Sequence, residues 1–336
     1  MNTNIILVIS AFSCSLICNY LLNKWFLKTS KLDEINSRSS HSVKATKSGG
    51  IALFTSLFFI TLILYSLDKE LYDFSIMLPF GIIFIIGVYD DFYNADFKLK
   101  FFIQIIVAKL FIDQGFVIEN FHGFLGLNVV PFIIAQMVTV FVYIIIVNAF
   151  NFIDGVDGLA TSLGVFALVC FIILPEVDGA LFYINCCVIS GLLPLYYFNF
   201  RKNNKVFLGD AGSLFLGSLL AINTFSFLNI PLSESFNFNP TLISMVILFY
   251  PLIDLLRVFF IRIRNKKSPF IADTNHLHHY LLGYFSSHIK TTLLIIFLNA
   301  SLLFLILFLE KSFVTLFSSI IFGLVCFTIF NIKPKK

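Results

Sequence analysis

Apolar stretches about as long as a bilayer is thick follow one another along almost the whole chain of 336 residues. A helix that crosses the hydrocarbon core needs about 20 mostly apolar residues. The composition agrees, because 58% of the residues are hydrophobic and only 12% are charged, whereas soluble domains are roughly half apolar and a quarter charged. The sequence therefore predicts an all-α fold: a polytopic bundle of transmembrane helices that forms one integral membrane domain over residues 1–336.

Eleven stretches are predicted to span the membrane. They cover residues 4–22, 49–67, 74–89, 101–116, 129–150, 159–175, 180–198, 211–228, 240–261, 291–309 and 312–331. The first has no basic region before it and no small-residue cleavage site after it, so we interpret it as a retained span rather than a signal peptide. The six cysteines all lie in these apolar stretches, which favours small buried side chains over metal ligands or disulfides.

The predicted loops differ in charge between the two sides of the bundle. Most of the 23 lysines and arginines lie in loops on one face, whereas the opposite loops hold only Lys69 and Lys311. In membrane proteins the cytoplasmic loops carry the excess of basic residues. We therefore expect the N-terminus outside, the C-terminus in the cytoplasm, and the basic loops on the cytoplasmic face.

Five aspartates lie at span ends on that same face. Asp90 and Asp91 close the third span, Asp154 and Asp157 follow the fifth, and Asp210 precedes the eighth. Ionisable groups at membrane depth are costly and by default indicate function. Two adjacent carboxylates repel each other unless a cation or a proton lies between them. Taken alone, the first pair fits a solvated helix end as well as it fits a metal or proton-transfer site.

Two further segments concentrate polar residues in an otherwise apolar chain. Asn148, Asn151, Asp154 and Asp157 lie within eleven residues that also hold two glycines. A helix cap and a turn explain one Asp and one Gly, but not the whole group. Asp210 stands in a Gly-Asp-Ala-Gly-Ser segment at the start of a predicted helix, where the N-terminus favours anions, and its carboxylate is expected to hold a hard cation.

Three histidines, His276, His278 and His279, lie in the basic loop after the ninth span. They have no neighbouring Cys or Glu, and oxygen ligands dominate the other motifs, so contact with phosphate or sugar is favoured over zinc. Carboxylates close to basic groups indicate a divalent ion between acid and phosphate, and Mg²⁺ suits that role. Phosphoryl transfer then proceeds by positioning and charge neutralisation. The membrane setting indicates that one substrate is a lipid.

The motifs together resemble glycosyltransferase family 4, the polyprenyl-phosphate N-acetylhexosamine-1-phosphate transferases, in order and over nearly the whole chain. The resemblance rests on Gly87-x-x-Asp90-Asp91 with Lys100 and Gln104, the Asn148 to Ala160 segment, Gly209-Asp210-x-Gly212-Ser213, Pro251, Asp254, Arg257, Arg262, Ser268-Pro269-Phe270, Asp273 and His276-x-His278-His279. One short motif would be weak support, but this ordered series on predicted membrane spans is specific.

The resemblance implies transfer of an N-acetylhexosamine 1-phosphate from a UDP-sugar to undecaprenyl phosphate, with release of UMP, as the first membrane step of a cell-surface polysaccharide. UDP-GlcNAc and deoxy sugars such as FucNAc or QuiNAc all fit as donors, and direct transfer and a covalent intermediate both stay open. The resemblance also implies Mg²⁺, with Mn²⁺ as an alternative, a homodimer, and a bacterial inner membrane with the active site facing the cytoplasm. No nucleic-acid partner is expected.

The resemblance assigns roles to individual residues. Asp90, Asp91, Asp154 and Asp157 are expected to be catalytic, and Asp210 with Asp154 is expected to bind the metal. Substrate binding is expected from Arg38, His41, Lys47, Lys100, Asn148, Asn151, Phe207, Arg257, His276, His278 and His279. The first loop departs from the family, because two usual prolines are missing and Lys47 replaces an arginine. Lysine keeps the charge but lacks the bidentate fork.

The main alternative is a transporter or flippase of lipid-linked sugars. Such proteins place ionisable residues near the bilayer midplane, between broken helices, whereas the aspartates here lie at span ends. A CDP-alcohol phosphotransferase fits less well, because no arginine follows Ala160 in the Asp-Gly segment. An enzyme that acts at the membrane surface is therefore the favoured interpretation.

Overall fold

The structure, a computed structural model, describes residues 3–29, 45–69, 71–124, 126–173, 179–230, 239–268 and 275–308. The helices in those ranges are α1 (Thr3–Lys28), α2 (Gly49–Ser66), α3 (Met77–Tyr93, after a 3₁₀ turn at Phe74–Ile76), α4 (Phe97–Asp113), α5 (Phe132–Phe152), α6 (Leu159–Ile173), α7 (Gly179–Asn199), α8 (Gly209–Leu228), α9 (Pro240–Ile247), α10 (Phe249–Arg264), α11 (Leu277–Phe285) and α12 (His288–Phe308). The strands are β1 (Ala45–Thr46), β2 (Asn120–Phe124), β3 (Leu127–Val129) and β4 (Lys205–Val206).

The described helices confirm a polytopic helical membrane protein. Seven of them are long and apolar enough to cross a membrane (α1, α2, α3 with its 3₁₀ turn, α5, α7, α8 and α12), and α9 with α10 makes an eighth if the bent pair is one span. Two predicted spans fall on shorter helices, α4 with 17 residues and α6 with 15. The span predicted at 312–331 lies outside the described residues. The total of eleven and the orientation of the termini therefore stay predictions.

Helix α8 stands at the centre of the bundle. It contacts α2, α3, α5, α6 and α9, and nearly all of its residues are buried. Its sequence explains this position, because after Asp210 nearly every residue is apolar or small, and a helix that is hydrophobic all round is a buried one. The buried exception, Asn223, pairs with Asn185 of α7. The start of α8, with the Asp210 carboxylate, is thereby held in the middle of one face of the protein.

The residues that follow the first loop are fastened to those that lead into α8. Strands β1 and β4 pair in parallel, with Ala45 opposite Lys205. The N–H of Gly50 then donates to the Leu208 carbonyl at 2.8 Å. A side chain on Gly50 would lie 2.1 Å from the nitrogen of Gly212, so only glycine allows this approach of two helix starts. Lys47 is thus delivered beside the first turn of α8.

The predicted ninth span, 240–261, is broken rather than straight. Helices α9 and α10 meet at 74°, and Pro251 lies in the first turn of α10. Proline lacks an N–H and its ring clashes with the carbonyl four residues earlier, so it breaks a helix there but suits a first turn. Asn299 of α12 accepts the N–H of Tyr250 at 3.0 Å and donates to the Ile247 carbonyl at 3.1 Å. These bonds satisfy backbone groups that a bend exposes inside a membrane.

The β2–β3 hairpin covers the end of the bundle away from Asp210. His122 lies 2.7 Å from the Leu228 carbonyl at the far end of α8, and the Asn239 amide donates to the His122 carbonyl at 2.8 Å. Beneath the hairpin, between α5 and the α9–α10 bend, an apolar cavity of about 260 Å³ runs past Ile145 and Leu252. This cavity reaches to within one helical turn of Asn148 along α5.

Candidate active site at the start of helix α8

Four carboxylates converge from three parts of the chain, and we call Asp90, Asp91, Asp154 and Asp210 the carboxylate cluster. The backbone N–H of Asp210 donates to Asp91 Oδ1 at 3.0 Å, and Lys100 Nζ lies 2.5 Å from Asp90 Oδ2 and 3.9 Å from Asp210 Oδ2. Burial, with the neighbouring carboxylates of Asp210 and Asp91, raises the pKa of Asp154 well above its usual range. The cluster therefore concentrates negative charge in a confined place.

Two lysines approach this cluster from different elements. Lys100 comes from the first turn of α4, and Lys47 follows β1 and lies 3.7 Å from Asp91 Oδ1. Asp90 is held from two sides, because its Oδ1 accepts the N–H of Ala95 at 2.7 Å while its Oδ2 contacts Lys100. Four carboxylates against two described lysines leave a surplus of negative charge, which is the arrangement that a divalent cation would balance.

Asp91 caps the N-terminus of helix α8. Its two carboxylate oxygens accept the N–H groups of Asp210 and Ala211, both at 3.0 Å. The first N–H groups of a helix lack partners within the helix, and a carboxylate there also meets the positive end of the helix dipole. The predicted catalytic residue Asp91 therefore has a geometry that favours positioning Asp210 over contact with substrate.

Two asparagines of α5 lie next to the cluster. The amide of Asn151 donates to Asp210 Oδ1 at 2.9 Å and to Ser213 Oγ at 3.0 Å, so it fixes the orientation of the Asp210 carboxylate. Asn148, one turn earlier, pairs with Gln104 of α4, donating to its Oε1 at 2.7 Å. Both are predicted substrate ligands, and the structure shows that each also ties α5 to a neighbouring helix.

Asp157 makes a separate set of contacts. Its carboxylate forms an ion pair with Lys205 of β4 and lies 3.6 Å from Nδ1 of His288, at the start of α12. The hydroxyl of Thr292 donates to its backbone carbonyl at 3.3 Å. The turn between α5 and α6 is thereby connected to β4 and α12. Its predicted catalytic role stays a prediction, and the geometry favours holding the turn in place.

The histidine loop, residues 275–279, packs over that turn. Asp254 of α10 accepts the N–H of Leu277 at 2.7 Å and contacts His276 Nδ1 at 2.8 Å, and His278 Nδ1 lies 3.6 Å away. The ligand atoms of Asp254 and the two histidines lie within 4.8 Å of one another and all three residues are buried. The trio could hold a metal, but the hydrogen bonds already satisfy the carboxylate.

His278 faces the Asp-Gly turn. Burial lowers the pKa of His278 to about 3, so its imidazole is neutral. Among the described residues, its Nε2 atom has no hydrogen-bond partner. A side chain on Gly155 would lie 2.9 Å from this Nε2 and 3.1 Å from the His279 ring, so glycine is what lets the two segments meet. The histidines therefore lie beside Asp154, across a single turn.

Arg257 and Phe207 support the backbone around the site. Arg257 is fully buried, and its Nη1 donates to the carbonyl of Asn275 at 2.5 Å, at the start of the histidine loop. Phe207 donates its N–H to the Thr46 carbonyl at 2.8 Å and accepts the N–H of Gly49 at 3.0 Å. Both predicted substrate ligands thus have structural contacts of their own.

The structure does not describe two predicted substrate ligands, Arg38 and His41, which lie outside the described residues. It adds two residues to which the sequence assigned no role. Lys205 pairs with Asp157 across 48 residues, yet nothing in its local sequence separates it from Lys202. Asp254 was noted only as part of a motif, and its partners come from another element 22 residues later.

Comparisons with known proteins agree with the motifs. A family model described as glycosyl transferase family 4 matches residues 73–228, which include all four carboxylates of the cluster. A relative from Bacillus subtilis (strain 168), named probable undecaprenyl-phosphate N-acetylglucosaminyl 1-phosphate transferase, is 29% identical over 313 residues, which cover 89% of this chain and 83% of the relative. The family model thus matches the part of the chain that holds the cluster, and the alignment with the relative covers most of the chain.

Two further relatives carry related names. An undecaprenyl-phosphate alpha-N-acetylglucosaminyl 1-phosphate transferase from Thermotoga maritima is 29% identical over 93% of this chain and 91% of its own. A decaprenyl-phosphate N-acetylglucosaminephosphotransferase from Mycobacterium leprae (strain TN) is 29% identical over 77% of this chain and 71% of its own. The family match, the relatives and the motifs in order all support similarity of this chain to glycosyl transferase family 4, the polyprenyl-phosphate N-acetylhexosamine-1-phosphate transferases.

Proposed function

We propose that this protein transfers an N-acetylhexosamine 1-phosphate from a UDP-sugar to undecaprenyl phosphate. The observation that carries the proposal is the carboxylate cluster with Lys100, held at the buried start of α8 at one end of a membrane bundle. An oxygen of the lipid phosphate attacks the phosphorus next to the sugar. The bond from that phosphorus to the bridging oxygen breaks, which yields the lipid diphosphosugar and UMP.

The residues present fit a magnesium ion. Carboxylate oxygens are the ligands that Mg²⁺ prefers, and burial, with the neighbouring carboxylates of Asp210 and Asp91, raises the pKa of Asp154. A bound cation would offset both the burial and the repulsion between these carboxylates. Asp210 and Asp154 would hold the ion, with Mn²⁺ as the alternative. When bound, it would neutralise charge on the donor diphosphate. Asn151 keeps the Asp210 carboxylate oriented for this task.

The chain's own residues position the acceptor. Lys100 contacts Asp90 and reaches towards Asp210, so its ammonium group can meet an incoming phosphate between two carboxylates. Asp90, held by the N–H of Ala95, orients that phosphate. Phosphoryl transfer needs positioning and charge neutralisation more than covalent help from the protein, and these contacts supply both.

The apolar cavity beside α5 supports a lipid acceptor. It lies between α5 and the bent α9–α10 pair, and it approaches Asn148 at the active-site face. Its lining is mostly apolar, and the hydroxyls of Thr224, Thr241 and Ser244 donate to backbone carbonyls. An isoprenoid chain has no polar group to satisfy and fits such a lining. The broken helix is a feature of transporters as well, but the cluster lies at helix ends on one face, which favours surface chemistry over transport.

The names of the relatives make UDP-GlcNAc the first donor to examine. Deoxy N-acetylhexosamines such as FucNAc and QuiNAc stay as alternatives. The basic loops favour a cytoplasmic active site in an inner membrane, where the product begins a surface polysaccharide. A homodimer is proposed on family grounds alone.

The test is the release of UMP by the purified protein in the presence of undecaprenyl phosphate and Mg²⁺, with a panel of UDP-N-acetylhexosamines. We expect release with one donor and none without the lipid or after chelation. Absence of UMP with every donor would overturn the proposal, provided that a cooperative thermal unfolding transition shows that the protein is folded. Transport of a lipid-linked sugar across vesicles without UMP release would favour the flippase alternative.

A further inference from the structure

A second cavity, with basic residues in its lining, lies away from the carboxylate cluster, between the end of α1 and the segment after α7. Its volume is about 400 Å³ and its described lining residues are Tyr20, Asn23, Lys24, Leu27, Lys28, Phe198, Arg201 and Asn204. Three of them are cations and none is acidic. None of these side chains contacts the carboxylate cluster, so we treat this basic cavity as a separate candidate binding site.

The lining from α1 forms a single stripe. Asn23, Lys24, Leu27 and Lys28 are spaced by one or three residues, and side chains three and four apart lie on one face of a helix. Lys24 and Lys28 are exposed, whereas Asn23 is buried. No ion pair of Lys24, Lys28 or Arg201 occurs among the described residues. The charges therefore face the cavity without a described counter-ion.

Arg201 enters from the opposite wall in a fixed orientation. Its guanidinium lies 4.1 Å from the centre of the Tyr197 ring and 4.5 Å from that of Phe198. Stacking on aromatic rings restrains the guanidinium plane and leaves its N–H groups available to an anion. Arginine forks match phosphate oxygens in two simultaneous hydrogen bonds. A held arginine opposite two lysines is the donor set for a phosphate group.

Exposed aromatic side chains near the cavity favour a position at the level of the lipid headgroups. Tyr20, Trp25 and Tyr197 are each at least half exposed around it, and exposed tyrosine and tryptophan mark the membrane interface. Helix α1 presents most of its apolar surface outwards, with only 22% of its span buried. A ligand here would have its charged group among the cations and its apolar part along α1, in the bilayer.

The cavity is also on the active-site face. Asn23 Oδ1 accepts the hydroxyl of Thr46 at 3.1 Å, and Lys47, the next residue, lies beside Asp91. Basic pockets between membrane helices on the cytoplasmic side bind anionic lipid headgroups. We propose that the basic cavity binds the phosphate headgroup of an anionic phospholipid of the phosphatidylglycerol type. The lipid is a ligand distinct from both transferase substrates.

The chain carries its own probe for the test. Trp25 is the only tryptophan of the protein and follows Lys24 on α1. We would reconstitute the protein in phosphatidylcholine nanodiscs that contain a small fraction of either phosphatidylglycerol or phosphatidylcholine brominated near the carbonyl group, and measure quenching of Trp25 fluorescence. Each basic residue near an anionic surface raises lipid affinity by about fivefold. Three such residues acting independently predict a preference for the brominated anionic lipid of about a hundredfold.

A matched pair of variants separates the cavity from general surface charge. The variant Lys24→Gln/Lys28→Gln/Arg201→Gln is expected to lose the preference. The variant Lys98→Gln/Lys266→Gln/Lys267→Gln removes three exposed cations elsewhere and is expected to keep it. Equal quenching by both lipids in the unchanged protein, or an equal loss in both variants, would overturn the proposal. The comparison within the unchanged protein stands even if the first variant fails to fold.

Two competitors distinguish the source of the phosphate. Inorganic phosphate is expected to leave the quenching unchanged, because it lacks the acyl chains that lie along α1. Undecaprenyl phosphate at the concentration of the brominated lipid is also expected to leave it unchanged. Complete displacement by inorganic phosphate would show a plain anion site, and displacement by undecaprenyl phosphate would show a second acceptor site. Either result would overturn the proposal, and neither depends on transferase activity.

Discussion

The carboxylate cluster and the histidine loop both set aspartates against basic groups, but they differ in how much charge is left to act on a ligand. In the cluster, four carboxylates face two described lysines, and the pKa of Asp154 is raised. In the histidine loop, the single carboxylate of Asp254 is satisfied by His276 and by the N–H of Leu277. The surplus of carboxylates is the reason why we propose metal and phosphate binding at the cluster, whereas the satisfied carboxylate of Asp254 favours a structural role.

The same distinction separates residues inside each motif. Asp91 and Asp157 come from motifs that also hold Asp90 and Asp154, yet the first caps α8 and the second pairs with Lys205. A motif therefore contains groups that hold the backbone beside groups that we propose handle the substrate. The following changes test that division, beginning with the largest effect.

Replacing Asp210 by asparagine would remove a cluster carboxylate without changing its size. We expect UMP release to fall by about a hundredfold to a thousandfold, because a single preorganised electrostatic group contributes about that much. The melting temperature should change little. The matched control is Asp113→Asn on α4, an exposed aspartate paired with Lys109, which should keep full activity. An active Asp210→Asn protein would contradict the assignment of this carboxylate to the metal.

Replacing Asp254 by asparagine would leave His276 without its charged partner in a buried place. We expect a loss of stability of about 3 kcal/mol, since breaking a buried pair leaves an uncompensated polar group. Activity should fall less than in Asp210→Asn. Thermal denaturation measures the loss of stability, and UMP release by the same protein measures the loss of activity.

A double-mutant cycle with His276→Gln sharpens this result. If Asp254 and His276 act as a unit, the double variant should be little less stable than either single variant. Additive losses would show that the pair is not coupled. A much larger effect on activity than on stability would mean that Asp254 acts with the carboxylate cluster and does not merely hold the histidine loop in place.

Replacing Gly155 by alanine would place a methyl group 2.9 Å from His278 Nε2. We expect a loss of about 1 to 2 kcal/mol in stability, because overpacking forces a shift of neighbouring groups. His278→Ala in the same protein should relieve the clash and recover part of the loss. No recovery would mean that the strain lies in the backbone of the turn rather than between the turn and the histidine loop.

The pH dependence of stability gives the smallest effect. The pKa of His278 is about 3 in the folded protein and about 6.5 when unfolded, so between these values the unfolded state binds the proton. Stability is therefore full above pH 6.5 and falls as the pH falls, by about 1 kcal/mol near pH 5.5. Thermal denaturation of the unchanged protein and of His278→Gln should show this slope only in the former. Equal slopes would assign it to another group.

The membrane setting and the motifs were predictable because both depend on local composition. Stretches of apolar residues define the seven span-capable helices, and the acids were expected at span ends because charge is excluded from the hydrocarbon core. The bend between α9 and α10 was missed, although Pro251 was a usable signal. The prediction treated residues 240–261 as one span, although a proline in a helix interior clashes with the preceding turn.

The sequence by itself determined the class of protein, the family that it resembles and the candidate residues of an active site, since length, apolarity and ordered motifs can be read along the chain. Only the tertiary structure decided which carboxylates share a site and which bind backbone N–H groups or lysines that hold the site in place. Asp91 meets the start of α8 across 119 residues, and Lys205 meets Asp157 across 48. The packing of α8 against its neighbours brings these groups together, and spacing along the chain carries no record of that packing.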